Sequence, residues 1–345
     1  TASHNPINYN GMKIVKAGSQ PLTDEEFLGI KALVKKNDIE ETKNPGKELD
    51  YRIQARDTYL SKILSFVNTK NLKPLKIVVN SGNGVAGPVI DEIDLILKAM
   101  GLEVDFRRVQ HEPDSSFPYG IPNPLLKENR KVTGEAVKIN QADFGVAFDG
   151  DFDRCFLFDE FGEFIPSEYI VGLLANIFLN KEKGGSIIHD PRVIFNVLDI
   201  VNSLEGKAFA SKTGHSFVKA EMRRNSAVYG GEMSAHHYFR EFFYCDSGMI
   251  PWLLIWELLS KSDASLSELV SDRKKQFPSS GEINFKVEDP KLCLEKIKDT
   301  YADFAVSINF KDGISFLFDE WRFNIRQSNT EPLVRLNLET RGNQK

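Results

Sequence analysis

The chain has 345 residues, too many for one hydrophobic core, which predicts two to four domains. Its 44 Lys and Arg stand against 49 Asp and Glu, a formal charge of −5, which excludes the basic footprint of a nucleic-acid binder. The longest apolar run, around Pro251 to Leu259, is too short to cross a bilayer. The three scattered cysteines, Cys155, Cys245 and Cys293, argue against a disulfide framework and for a reducing, cytoplasmic setting.

The sequence opens on Thr1-Ala2-Ser3-His4-Asn5-Pro6, which offers a nucleophilic hydroxyl, a proton carrier and a turn former. Taken alone, a plain polar turn explains these residues as well. A short strand is expected at Gly11 to Val15, with Lys13 near its start. Thr23 as N-cap and Glu26 three residues on predict a helix to about Lys36. Asn37 to Asp50 is polar and reads as a linker, and Tyr51 to Val67 as a helix. Leu75 to Val79 is a buried strand that enters the glycine-rich turn Asn80 to Pro88. A helix follows to Met100, then a strand at Leu102 to Phe106. The glycine spacing is neither a P-loop nor a dinucleotide fingerprint, so a tight structural turn is favoured over a phosphate cradle. Glu112 to Asn123 reads as a long loop, and a helix leads from it to the next strand.

Phe144 to Phe148, a buried strand, delivers Asp149-Gly150-Asp151-Phe152-Asp153-Arg154. Alternate side chains point the same way in extended backbone, so the three carboxylates can converge on a hard cation such as Mg²⁺. The competing reading is a solvated acidic turn. Cys155 to Phe158 and Glu163 to Ile165 read as a hairpin, and Ser167 to Leu179 as a helix. A strand at Ser186 to Asp190, a turn at Pro191-Arg192 and a helix from Val193 to Ser203 echo the earlier strand–turn–helix unit, an internal repeat of related plan. Ser211 to Ser216 then leads into an amphipathic helix ending at Arg224. Val228-Tyr229 enters Gly230-Gly231, after which Glu232, Ser234 and His236 stand at every second position. Hydroxyl recognition on a sugar and metal binding both fit them, with the first preferred. Helices are expected at Asp246 to Leu259 and Leu266 to Phe277, with a boundary at Pro278 to Gly281. The last part reads as a strand near Ile283 to Val287, a helix from Pro290 to about Tyr301, and strands at Ile314 to Phe318 and Trp321 to Ile325. Arg326-Gln327-Ser328-Asn329-Thr330-Glu331-Pro332, with Arg335 beyond, supplies donors for a phosphate. No terminal element is evident after it.

In these stretches the chain resembles the α-D-phosphohexomutase family of the phosphomannomutase/phosphoglucomutase type. The resemblance rests on Thr-Ala-Ser-His-Asn-Pro, Asp-Gly-Asp-Phe-Asp-Arg, Thr-Gly-His-Ser, Gly-Glu-Met-Ser-Ala-His and Arg-Gln-Ser-Asn-Thr-Glu-Pro, in that order along the whole chain. It implies an α/β, multi-domain architecture around a central cleft: three related mixed α/β domains, the first incomplete here, and a C-terminal α+β domain. The expected divisions are 1–48, 49–157, 158–277 and 278–345, with roughly half of the first domain expected to precede Thr1.

The resemblance also implies roles. Ser3 would be a phosphoserine that exchanges its phosphoryl group with a hexose 1- or 6-phosphate through a hexose 1,6-bisphosphate, which is both activator and intermediate. Ser3, Asp149, Asp151 and Asp153 would hold one Mg²⁺. His4, Lys13 and Arg154 would surround the reacting phosphate, with Lys13 and His215 as acid–base candidates. Arg192, where the family often has lysine, would bind substrate, as would Thr213 and Gly214. Glu232, Ser234 and His236 would read sugar hydroxyls. Arg326, Ser328, Asn329 and Thr330 would hold the distal phosphate. Met233 and Asn329 look like the mannose/glucose branch, which ranks mannose phosphate first and glucose phosphate second. A phosphosugar substrate is the expected partner, with neither nucleic acid nor membrane, and the chain is expected to be a monomer or weak dimer. The alternatives are a Mg²⁺-dependent phosphatase with an Asp nucleophile, suggested by the Asp triplet alone, and an inactive phosphosugar-binding fragment.

Overall fold

The structure, a computed structural model, describes residues 8–37, 44–328 and 332–342. A short hairpin of β1 (Val15–Lys16) and β2 (Gln20–Pro21) stands where a strand at Gly11 to Val15 is expected from sequence. α1 (Asp24–Lys36) begins as the sequence predicts. Thr23 Oγ1 accepts the Glu26 amide at 3.2 Å, and Glu26 Oε2 accepts the Thr23 amide at 2.7 Å. α2 (Arg52–Leu64) follows.

Two sheets with the same strand order come next. The first takes β3 (Lys76–Asn80), α3 (Ala86–Ala99), β4 (Asp105–Val109), α4 (Lys131–Asn140), β5 (Phe144–Phe148), β6 (Cys155–Phe158) and β7 (Phe164–Ile165). Its order is β4-β3-β5-β6-β7, with β3 parallel to both neighbours and β6 and β7 antiparallel. The second takes α5 (Ser167–Lys181), β8 (Ser186–His189), α6 (Phe195–Ser203), β9 (Lys207–Ala210), α7 (His215–Arg224), β10 (Tyr229–Gly231), β11 (His237–Phe239) and β12 (Cys245–Asp246). Its order, β9-β8-β10-β11-β12, repeats the first strand for strand, parallel where the first is parallel. The α/β repeat read from sequence is therefore present in the backbone. Strands β9, β11 and β12, each of two to four residues, carry too little periodicity to be read in advance.

α8 (Met249–Lys261) joins the two sheets. It is buried on all sides, and Trp252 and Trp256 stack at 6.1 Å with Phe106 edge-on to both. One continuous core runs from Leu60 and Ile63 on α2 through Val79, Val146 and Trp252 to Ile187 and Val270. The helix starts at Met249, not at Asp246, because Asp246 is paired in β12 and Ser247 Oγ accepts the Met249 amide at 3.2 Å. No helix among the described residues is long and apolar enough to cross a membrane.

After α9 (Leu266–Gln276) a third sheet forms from β13 (Ser279–Lys286), α10 (Pro290–Tyr301), β14 (Ser307–Asn309), β15 (Ile314–Leu317), β16 (Trp321–Gln327) and β17 (Leu333–Thr340). Its order is β13-β17-β16-β15-β14, antiparallel throughout. Two sequence expectations are corrected here. Pro278 to Gly281 is not a pure boundary: β13 begins at Ser279 and passes Gly281 in a bulge before Glu282. The chain after Arg326 also does not lack a terminal element, because β17 pairs with both β13 and β16.

The third sheet has two unlike faces. Phe316, Phe323, Ile325 and Val334 form a separate small core with Leu294 and Ile297 of α10. The opposite face alternates with them and is polar: Arg322 stands opposite Glu339, Asn324 opposite Asn337, and Arg326 opposite Arg335. This face packs on the loop after β8. Arg322 donates to the carbonyls of Arg192 at 2.9 Å and Pro191 at 2.8 Å, and to Glu339 at 2.7 Å. Glu339 accepts the amides of Ile194 at 2.7 Å and Phe195 at 2.8 Å, capping α6, which has no side-chain cap of its own.

Two outcomes are expected. Trp252→Ala empties a fully buried site shared by both α/β sheets and should destabilise the fold by about 3–5 kcal/mol, read as a lower urea midpoint. Burial, with a smaller contribution from His236, holds the imidazole of His237, whose Nδ1 lies 2.7 Å from Tyr229 Oη, down at about 3. Below the free histidine value the unfolded chain takes up a proton that the fold refuses. Stability therefore falls as pH drops from about 6.5 toward 3, by about 2 kcal/mol between pH 7 and 5 from this group alone. The urea midpoint of His237→Gln should depend less on pH across that interval than that of the wild type.

Candidate functional site

The site grows from the end of β5, whose five residues are all buried. Its last carbonyl leads into Asp149, and a left-handed Phe152 (φ 48°) folds the loop back. Carboxylate oxygens of Asp149, Asp151 and Asp153 lie within 4.8 Å of one another. Burial, followed by the charges of Asp153 and Asp151, pushes the fully buried Asp149 carboxyl well above its usual range. Arg154 works against this: its amide is 3.3 Å and its Nε 3.8 Å from Asp149 oxygens. Asp153 is also penalised by burial, but His236 and Lys13 outweigh that and hold it below the ordinary carboxylate range. Lys13 Nζ donates to Asp153 Oδ2 at 2.8 Å. Burial draws the Lys13 pKa down, and Asp153, Asp246 and Asp151 together raise it further than burial lowers it. Three hard oxygen donors crowded around one point have the chemistry of a Mg²⁺ site.

Close backbone packing fixes this loop. A Cβ on Gly84 would stand 2.5 Å from the Gly150 carbonyl, which accepts the Val85 amide at 3.1 Å. The glycine-rich turn after β3 is thus a backrest for the Asp loop. From the second sheet, Arg154 and His236 form a β-bridge, and the Cys155 amide donates to Ala235 O at 3.1 Å. Gly248 presses in from the start of α8, where a Cβ would lie 2.6 Å from the carbonyls of Phe152 and Arg154.

The Glu232–His236 loop therefore lies against the Asp loop. Arg154 Nε is 3.3 Å from His236 Nε2, and His236 Nδ1 is 2.9 Å from Ser234 Oγ. Glu232 is buried, with one oxygen accepting the Gly214 amide at 2.9 Å and the other the Tyr238 hydroxyl at 2.5 Å. It braces the Thr213–Gly214 turn, while Ser234 and His236 stay partly exposed. Thr213 donates its amide (3.1 Å) and its hydroxyl to Asp312 on the third sheet. His215 opens α7, and burial, then Lys219 and Lys13, lower its pKa.

Arg192 is buried and held by Asp190, with Nε 2.8 and 2.9 Å from the two carboxylate oxygens. Its Nη1 reaches Glu282 at 3.4 Å, and Arg326 Nη2 reaches the same carboxylate at 2.9 Å. Arg335 Nη2 lies 3.4 Å from Ser328 Oγ. Ser3, His4, Asn329 and Thr330 lie outside the described residues.

Sequence reasoning missed four residues of this neighbourhood. Asp246 pairs with Lys219 at 2.8 Å and has an oxygen within 4.8 Å of Asp153 and His236. Asp190, Glu282 and Asp312 hold Arg192, Arg326 and Thr213. Asp190 carried a readable signal, an acid at a strand's carboxyl end two residues before an arginine. Glu282 and Asp312 become neighbours of the site only through the third sheet.

Three stretches match family descriptions: residues 57–162 "Phosphoglucomutase/phosphomannomutase, alpha/beta/alpha domain II", 166–277 the corresponding domain III, and 282–345 the C-terminal domain. The chain is 52% identical over 346 residues to a phosphomannomutase of Escherichia coli (strain K12), across 99% of this chain and 75% of the relative. It is 52% identical over 345 residues to a protein named phosphohexose mutases from Xanthomonas campestris pv. campestris (strain B100), with the same coverage. Among solved structures, a phosphoglucomutase/phosphomannomutase family protein of Burkholderia thailandensis superposes with a TM-score of 0.81 at 28% identity, over 98% of this chain and 70% of that one. The chain belongs to the α-D-phosphohexomutase family of the phosphoglucomutase/phosphomannomutase type, and its enzyme class is that of a hexose phosphate mutase, an isomerase.

Proposed function

We propose that the enzyme interconverts hexose 1-phosphate and hexose 6-phosphate, mannose first and glucose second, through a phosphoserine at Ser3 and a hexose 1,6-bisphosphate. The observation that carries this reading is the bridge between Arg154 and His236, which sets an acidic phosphoryl-transfer loop directly against a hydroxyl-reading loop. Asp149, Asp151 and Asp153, with the phosphorylated Ser3, would hold one Mg²⁺, which when bound supplies charge neutralisation for the transferring phosphate.

In the reaction a sugar hydroxyl oxygen bonds to the phosphoserine phosphorus as the bond from phosphorus to Ser3 Oγ breaks. The hydroxyl proton leaves to a base and Ser3 Oγ receives one from an acid; Lys13 and His215 serve as that pair. His4 and Arg154 flank the reacting phosphate. The bisphosphate then presents its other phosphate, which returns to Ser3, and the net change is isomerisation. Ser234 and His236, with Glu232 bracing Thr213 and Gly214, orient the sugar. Arg192, Arg326, Ser328, Asn329 and Thr330 hold the phosphate that is not being transferred. In this proposal the divisions 1–48, 49–157, 158–277 and 278–345 each contribute one loop to the cleft.

The test is a coupled mutase assay with Mg²⁺ and a trace of hexose 1,6-bisphosphate, supplying mannose, glucose and glucosamine 1-phosphates in parallel. Mannose and glucose phosphates should turn over, and Ser3→Ala should abolish turnover. Lys13→Met should lower kcat by about 10²–10⁴-fold. Release of inorganic phosphate that survives in Ser3→Ala would instead assign the chain to the phosphatases that use an aspartate nucleophile.

A further inference from the structure

We infer that Glu282 is a positioning residue that gathers Arg192, Arg326 and Arg335 into one socket for the substrate's phosphomonoester dianion. The inference rests on the reading of the Arg326 loop given above. Glu282 stands on β13 just past the bulge, and its carboxylate faces three guanidinia: Arg326 Nη2 at 2.9 Å, Arg192 Nη1 at 3.4 Å and Arg335 Nη1 at 3.5 Å. These arginines come from two parts of the chain. Arg192 follows β8 and is fixed by Asp190, whereas Arg326 and Arg335 come from β16 and β17.

The strand register puts Arg326 and Arg335 directly opposite each other on the polar face. Like charges in that position repel and destabilise a sheet. Among the described residues Glu282 ion-pairs with both and so offsets that repulsion. It does not satisfy them. The buried Nε atoms of both arginines have no hydrogen-bond acceptor among the described residues. Arg326 and Arg335 each carry a planar fork of donors, the geometry that suits phosphate oxygens, whereas Arg192, with Nε and Nη2 taken by Asp190, contributes chiefly its charge and Nη1. Two of the three contacts to Glu282 are 3.4 and 3.5 Å, long for charge-assisted hydrogen bonds, so charge more than directed bonding holds the forks in place. Donors are therefore left for a tetrahedral anion. Arg335, 3.4 Å from Ser328 Oγ, ties the socket to the loop and is part of it.

The experiment measures KM and kcat for mannose 1-phosphate in the full-length enzyme, wild type against Glu282→Gln, Glu282→Asp and Arg326→Ala. Glu282→Gln keeps the shape and removes the charge. It should raise KM about tenfold with kcat within about twofold, and Glu282→Asp should recover part of the loss. Inhibition by inorganic phosphate should weaken in parallel with KM. An unchanged KM in Glu282→Gln, or a lower one, would overturn the inference. The lower value would mean that the carboxylate competes with the phosphate. A fall in kcat alone, or a lower melting temperature with normal kinetics, would also overturn it by leaving Glu282 a structural staple. Arg326→Ala separates the two layers. If it raises KM while Glu282→Gln does not, only the role of Glu282 fails. If it leaves KM untouched, the phosphate-loop reading fails first. Should Glu282→Gln not fold, the KM of Glu282→Asp decides alone, since a carboxylate withdrawn by one methylene should still raise it.

Discussion

Three carboxylates held within 4.8 Å of one another are the constraint around which this molecule is arranged. Left alone they would repel, and at Asp149 burial, joined by the charges of Asp153 and Asp151, pushes the carboxyl well above its usual range. The surroundings answer in two ways. Basic side chains close in, Lys13 from beside the N-terminal hairpin and Arg154 from the loop itself, with the imidazole of His236 beside them from the second sheet. The backbone is also pinned where a side chain would intrude, at Gly84 and Gly248. A loop so crowded with like charge stays closed because neighbouring chain leaves it no room to open.

The repeated sheet explains how such distant residues meet. Each α/β unit presents the loops after its parallel strands at one edge, the usual place for ligand chemistry in such sheets. Because α8 fuses the two cores, the edges are held in a fixed relation. The tryptophan pair at its centre is thus as much a part of the geometry of Asp153 and His236 as any residue beside them. The buried hydrogen bonds of Glu232 to Gly214 and Tyr238 do the same over shorter range.

Much of this was legible in the sequence, for identifiable reasons. The capping box at Thr23 and Glu26, the Asp alternation after an apolar strand, and the repeated strand–turn–helix unit are local signals, and local signals survive folding. What was not legible depends on non-local pairing. β17, Leu-Val-Arg-Leu-Asn-Leu-Glu-Thr, alternates from Val334 to Glu339 yet was not read as a strand. Its polar side chains are largely buried against the loop after β8, and Asn337 and Glu339 are fully inaccessible. Glu282 was hidden by Pro278-Ser279-Ser280-Gly281, a composition that signals a break and here makes a bulge. The very short strands β9, β11 and β12 owe their existence to the sheet they join.

The polar face of the third sheet bears on how the molecule comes apart. Guanidinium, carboxylate and carbonyl groups join that sheet to the rest, and its apolar core is separate from the one shared by the other two. Water can replace such contacts with far less loss than it could replace buried aromatics. The C-terminal sheet is therefore expected to open as a unit of its own before the α/β pair unfolds. The chain enters it through Phe277 to Ser279, where Tyr169 Oη donates to the Phe277 carbonyl at 2.8 Å. Amide hydrogen exchange would see this as β16 and β17 losing protection before α8. The groups that join the sheet to the rest, Arg322 with Glu339 and with the carbonyls of Pro191 and Arg192, are buried, so salt screens them little and a denaturant that solvates peptide groups loosens them more than ionic strength does.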